Sequence, residues 1–233
     1  MFHRSSPRFR IAGIAAAVLA LLVLSAGSVA ADTTPPPNGT FTQNGTSADA
    51  SSWSCTPNGD DTTTCTDLGL SVFAGKMSDS FSGVSHRNQV CAYLSTYTVD
   101  DATGEYVGAP VFESGCAVDL PNGTVGVGKN LTSVTVATTT IEVYEYICDE
   151  FTCEPGSSRD VVVVGTWTGL GSSYSWKHHS SSDDGTCRSS DSGKGSSRDA
   201  SFGGTVDGLS FGVDGYASIS NGKFTYRSRC IEV

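Results

Sequence analysis

The sequence predicts an all-β protein: an antiparallel β-sandwich, built as one large or two small tandem lobes and stapled by up to four disulfides. Three observations predict it. Apolar residues recur at alternate positions in short β-branched and aromatic runs, and no window past the N-terminal segment has helical spacing. Turn dipeptides separate the runs. The eight cysteines, an even number, all lie beyond the N-terminal segment, as in the disulfide framework of an exported chain.

The N-terminal segment reads as a cleaved signal peptide over residues 1–31. Arg4, Arg8 and Arg10 make a basic start, Ile11 to Leu24 form an apolar run, and "SAGSVAAD" places small residues where a signal peptidase cuts, after Ala30 or Ala31. The run is shorter than the roughly 20 residues a spanning helix needs. The expected location is therefore secreted, extracellular, with no membrane attachment after cleavage. Residues 32–52, "DTTPPPNGTFTQNGTSADASS", hold a single aromatic among Pro, Thr, Asn, Gly and Ser. That composition predicts a disordered linker. The fold then occupies residues 53–233, and a two-lobed version divides into about 53–155 and 156–233.

Within the folded region, "LGLSVFAG" sets Leu68, Leu70, Val72 and Ala74 on one face. "TIEVYEYIC" sets Ile141, Val143 and Ile147 on one face and Tyr144 and Tyr146 on the other. "QVCAYLSTYTV", "LTSVTVATTT", "VVVVGTWTG" and "KFTYRSRC" have the same character. Asn58-Gly59, Thr103-Gly104, Asn122-Gly123 and Asn221-Gly222 are the predicted turns. The last lies between "YASIS" and "KFTYR" as a two-residue hairpin turn would. "SSDSGKGSSRD", residues 189–199, reads as a flexible loop whose glycines fail the spacing of a phosphate loop.

The cysteines admit two pairing schemes. A local scheme joins Cys55–Cys65, Cys91–Cys116 across a hairpin centred on Thr103-Gly104, Cys148–Cys153 and Cys187–Cys230. A faint repeat, "FSGVSH" at Phe81 and "YSWKHH" at Tyr174, each leading to a cysteine, would instead pair Cys91–Cys148 and Cys187–Cys230 in two related lobes.

Charge and motifs narrow the function. The segment 1–31 carries three arginines and no acids, so its removal leaves 11 bases against 24 acids, a net charge of −13. Such a chain repels phosphate backbones and anionic lipid, which argues against nucleic-acid and membrane partners. No Gly-x-Ser-x-Gly elbow occurs. Glu142 and Glu145 fall on opposite faces of one strand. Glu105 and Glu113, on one extended arm, would stand about 26 Å apart, too far for paired-carboxylate chemistry. No residue is therefore assigned a catalytic role.

Candidate chemistry concentrates in "YSWKHHSSSDDGTC", Tyr174 to Cys187. On a strand, Tyr174, Trp176 and His178 share one face, and Ser175, Lys177 and His179 the other. The adjacent histidines cannot ligate one metal together, and zinc would require further ligands, so no metal site is assigned. Asp60-Asp61, Asp100-Asp101 and Asp183-Asp184 could supply calcium with oxygens, yet turn propensity already accounts for them. Trp167, Tyr174 and Trp176 could make a stacking surface for a sugar or belong to the core. The binding candidates are Trp176, His179, His86 and Tyr174. The reading is a secreted, non-catalytic β-sandwich protein that binds an extracellular glycan or protein, without cofactors. A secreted sandwich hydrolase and a structural cell-envelope protein are the alternatives.

Overall fold

The computed structural model describes residues 38–148, 153–212 and 215–230; the signal segment expected over 1–31 lies outside them. The strands are β1 (Gly39–Pro57), β2 (Thr62–Asp79), β3 (Val84–Asp100), β4 (Val111–Ala117), β5 (Val125–Val127), β6 (Ser133–Cys148), β7 (Cys153–Gly169), β8 (Tyr174–Asp183), β9 (Cys187–Val206), β10 (Leu209–Ser210) and β11 (Tyr216–Cys230). Every pairing is antiparallel. The fold is the predicted disulfide-stapled all-β sandwich. Its two layers are also joined at both edges. Neighbours run β9–β11–β1–β2–β3–β4–β6–β7, and β7 returns to β9 through Val163↔Val206 to Gly169↔Ala200.

The core lies between β1–β2–β3 and β6–β7. Leu68, Leu70 and Val72 are buried at alternate positions, as their spacing predicts. Ile141 and Val143 face them from β6, and Val161, Val163 and Trp167 from β7, each fully enclosed. Trp167 packs on Phe202 at 4.5 Å, so this tryptophan belongs to the core and not to a stacking surface. The halves of the chain share one sheet, since β11 pairs with β1 and β9 with β7.

Three expectations are corrected. Residues 39–52, expected as linker, form most of β1, a central strand hydrogen-bonded to β11 and β2. A strand flanked on both sides satisfies its backbone without large side chains. Thr46, Ala48, Ala50 and Ser52 turn inward, and small residues suffice because Ala48 lies between Ile219 and Val72. The glycine-rich stretch 189–199, expected as a loop, lies within β9. The hairpin turn expected at Asn221-Gly222 does not form; β11 passes straight through it, with Gly222 opposite Gly45 and Gly195. A Cβ at Gly222 would come 2.7 Å from the Lys194 carbonyl oxygen, so this glycine serves a close backbone approach. The real turns are those whose glycines take positive φ, such as Gly104 at 74° and Gly123 at 94°.

The local disulfide scheme is the one present. Cys55–Cys65, Cys91–Cys116 and Cys187–Cys230 are bonded, and each joins residues directly opposite in a ladder. Cys148 and Cys153 are also opposite in register, but their side chains lie outside the described set. The repeat-based pairing is overturned with its premise. Phe81 to Gly83 form a turn between β2 and β3, whereas Tyr174 to Trp176 open a strand.

Arg159 on β7 ties the closing edges together. Its Nε and Nη2 donate to Glu113 on β4 at 2.6 and 2.7 Å, and Nη1 donates to Asp207 at 2.5 Å. These bonds raise the guanidinium pKa above its ordinary value. Arg159 is 44% exposed, so water screens the pairs. Arg159→Met is expected to cost about 1–2 kcal/mol, a fall of roughly 2–8 °C in melting temperature by calorimetry.

Candidate functional site

One end of the sheet extends past the enclosed core. It comprises β8, the first part of β9, the last part of β11, the first part of β1, the last part of β2 and the start of β3. A lateral row of glycines crosses it: Gly195 opposite Gly222, Gly222 opposite Gly45, and Gly45 opposite Gly75. These backbones approach too closely for side chains. A Cβ at Gly45 would lie 2.3 Å from the Ala74 carbonyl oxygen, and one at Gly195 would lie 2.2 Å from that of Asn221.

At this row the buried face changes sides. In β1 the inward positions are Thr46, Ala48, Ala50 and Ser52, whereas past Gly45 the apolar residue Phe41 points to the opposite face. In β2 Leu68, Leu70 and Val72 give way to Phe73, which is 5% exposed and whose ring lies over Gly45 and Gly75. Aromatic rings cover this whole glycine floor. Trp176 lies over Gly193, Gly195 and Gly222, Phe41 meets Phe224 at 6.4 Å, and Phe81 meets Tyr226 at 6.3 Å. Side chains standing over glycines compensate for the missing packing surface.

The other face of the same end is cationic. The registers align Lys177, Lys194, Lys223, Asn44, Lys76 and Arg87 in one row across six strands. Directly opposed residues in antiparallel strands share a face, so five cations stand side by side over about 24 Å. All five are exposed. Toward the strand ends the same face carries Arg227 and the opposed pair Arg188 and Arg229. It therefore holds eight of the 11 bases left beyond residue 31. Among the described residues none of the eight is in an ion pair. The single acid that the strand registers place on this face is Asp183, whose carboxylate accepts the Gly185 N–H. The remainder is hydroxyl-rich, with Thr42, Ser192, Thr225, Ser190 and Thr40 on the face and no Phe, Tyr or Trp.

Opposed like charges are destabilising, and Lys177/Lys194, Lys194/Lys223, Lys76/Arg87 and Arg188/Arg229 are four such pairs. In a chain of net charge −10, ample acids exist that could neutralise them. Among the described residues, the strand registers place only Asp183 on this face.

The four sequence candidates are not brought together. His179 falls on the cationic face, beside Lys177 on β8. Trp176 and Tyr174 point to the opposite face; Trp176 is half-buried over its glycines, and Tyr174 is 55% exposed. His86 on β3 lies on the aromatic face, its Nδ1 2.9 Å from Asp119. That bond and the Arg87 N–H hold the Asp119 carboxyl below the ordinary range. His178 makes a corresponding pair with Asp191. Both pairs are solvent-exposed.

The acid pairs serve turns. Asp184 accepts the backbone N–H groups of Cys187 and Thr186, which lower its pKa. Asp100 accepts from Thr103 and Ala102, and its pKa is likewise lowered. Among the described residues no group of three or more His, Cys, Asp or Glu side chains is placed to hold a metal ion. Glu105 lies in a turn and Glu113 binds Arg159, so the two do not share one extended arm.

The row of cations was missed because the sequence scatters it over five segments. Its trace is the recurring Gly-Lys step at Gly75-Lys76, Gly193-Lys194 and Gly222-Lys223, which leaves a lysine beside three of the four glycines in the row, Gly45 being flanked by Asn44 and Thr46.

The fold and this face define a disulfide-bonded β-sandwich protein with a charge-segregated sheet. Its three described disulfides fit an extracellular setting, and no helix among the described residues is long and apolar enough to cross a membrane. No family model, no curated protein and no solved structure matches the chain.

Proposed function

We propose that this is an exported, non-catalytic protein that binds an extracellular acidic glycan across its cationic face. The observation that carries the reading is the lateral row of Lys177, Lys194, Lys223, Lys76 and Arg87, none of which is in a side-chain ion pair among the described residues. Side chains held against their mutual repulsion are neutralised when a polyanion lies along the row. The flanking hydroxyls supply hydrogen bonds suited to sugar hydroxyls. Single-stranded nucleic acid is bound through stacking aromatics, and this face holds none; its aromatics stand on the reverse side.

The test is titration of the mature chain with polygalacturonate. Wild-type protein is expected to bind with an affinity that falls steeply as salt rises. The triple variant K177Q/K194Q/K223Q is expected to lose at least tenfold while keeping its melting temperature, because it removes repulsion within the row. No binding by the wild type, or equal binding by the variant, overturns the proposal.

A further inference from the structure

Beyond the lysine row, the strand ends of the cationic face form a hollow lined by arginines. Arg188 on β9 is opposite Arg229 on β11, and Arg227 stands two residues further along the same face. They line two adjoining shallow, open depressions of about 520 and 530 Å³ that share Asn38, Arg188 and Arg229. The adjacent pair, Cys187 and Cys230, is a disulfide, so the two strands cannot splay to relieve the repulsion between the opposed guanidiniums. Asn38 is anchored to the same place, its Oδ1 accepting the Cys230 N–H. Thr186, Ser190 and Thr40 contribute hydroxyls. Asp183 also lines the first depression, but its carboxylate caps the β8–β9 turn at Gly185. Among the described residues, three guanidiniums thus face one carboxylate, that of Asp183, which is opposite Arg188 in register and accepts the Gly185 N–H.

We infer that this hollow is the specificity subsite of the face: it takes one carboxylate of a uronic acid at the end of an acidic glycan, held by paired N–H donors from Arg188 and Arg229. This rests on the glycan reading above and adds a division of labour to it. Lysine ammonium groups act as point charges that hold a polyanion without fixing its register, whereas guanidinium presents a planar fork that grips a carboxylate through two parallel bonds. The lysines are spread along the row and the arginines are gathered at its end, behind a disulfide. A polymer is therefore held along its length by charge and positioned at its terminus by geometry.

Calorimetric titration of the mature full chain with trigalacturonate and with long polygalacturonate separates the two roles. R188Q/R229Q is expected to bind the trimer at least tenfold more weakly while still binding the long polymer within about threefold. K194Q/K223Q is expected to show the reverse pattern. R188K/R229K keeps the charge and loses the fork, so it should remain defective for the trimer; its unchanged melting temperature will show that the tip is folded. Equal trimer affinity for wild type and R188Q/R229Q, or full recovery in R188K/R229K, overturns the subsite while leaving the lysine row standing. Failure of the wild type to bind either glycan overturns both readings. Oligodeoxythymidylate binding as tight as the glycans would also overturn the glycan assignment.

Discussion

Gly45→Ala is expected to destabilise this protein severely, although it adds a single methyl group to a strand. The new Cβ would lie 2.3 Å from the Ala74 carbonyl oxygen and 2.7 Å from the Gly75 Cα. Both are backbone atoms of the neighbouring strand, so no side chain can swing aside, and relief requires separating β1 from β2. Overpacking of this kind costs about 1–3 kcal/mol or more, and here it falls where the buried face changes sides. The loss should reach about 3 kcal/mol, a fall of roughly 6–12 °C in melting temperature. Gly204→Ala should behave alike, with its Cβ 2.3 Å from the Val164 carbonyl oxygen. Gly203→Ala is the control. Nothing lies within 4 Å of its Cβ and its φ is ordinary, so its change should stay within about 0.5 kcal/mol. Denaturant melts of the three variants check the ranking. Equal stability of Gly203→Ala and Gly204→Ala would show that the close approaches are not the reason for these glycines.

Removing the Cys187–Cys230 bond as the double serine variant is expected to cost about 4 kcal/mol. The bridge closes a loop with a sequence separation of 43 residues, the longest of the three described, and the chain-entropy estimate grows with loop length. The same estimate for Cys55–Cys65, with a separation of 10, is about 2.7 kcal/mol. The Cys187–Cys230 variant should also be the one whose stability gains most from added salt, because Arg188 and Arg229 stand beside the bridge and salt screens their repulsion. A chemical denaturation series at two salt concentrations checks both statements. A smaller loss from Cys187–Cys230 than from Cys55–Cys65 would contradict the loop-length ranking.

The strands with large apolar residues were legible. Leu68, Leu70 and Val72 alternate into the core as written, and the "VVVVGTWTG" run delivers Val161, Val163 and Trp167 to it. The local disulfides were legible because Cys91 and Cys116 flank a turn at equal distances. What misled was small and polar composition. Residues 39–52 and 189–199 carry few large side chains, and a reading based on buried apolar area takes such segments for linkers and loops. In the fold both are interior strands, since each is hydrogen-bonded on two sides and is covered by rings borrowed from elsewhere. Trp176 covers Gly193 and Gly195, and Phe73 covers Gly45. The Asn-Gly at 221–222 has the composition of a hairpin turn, and only its neighbours show that the glycine serves a close crossing of strands.

The candidate site divides in the same way. Strand alternation by itself separated His178 from His179, and it placed His179 with Lys177 on one face and Trp176 on the other. It could not tell that Lys177, Lys194, Lys223, Lys76 and Arg87 stand in one row, because register between strands is a property of pairing. Overall acidity pointed away from anions, yet charge acts through its local arrangement, and the sheet gathers eight bases on one face. The sequence alone determined the all-β class and the facing of side chains on the strands with alternating apolar residues, because these follow from local spacing; it offered the observed disulfides as one of two schemes. Only the tertiary structure decided which strands are neighbours, where the sheet turns its buried face over, and that the cations meet. Those outcomes depend on contacts between segments far apart in the chain, as at Asn44↔Lys223 and Gly39↔Ser228, which no local pattern encodes.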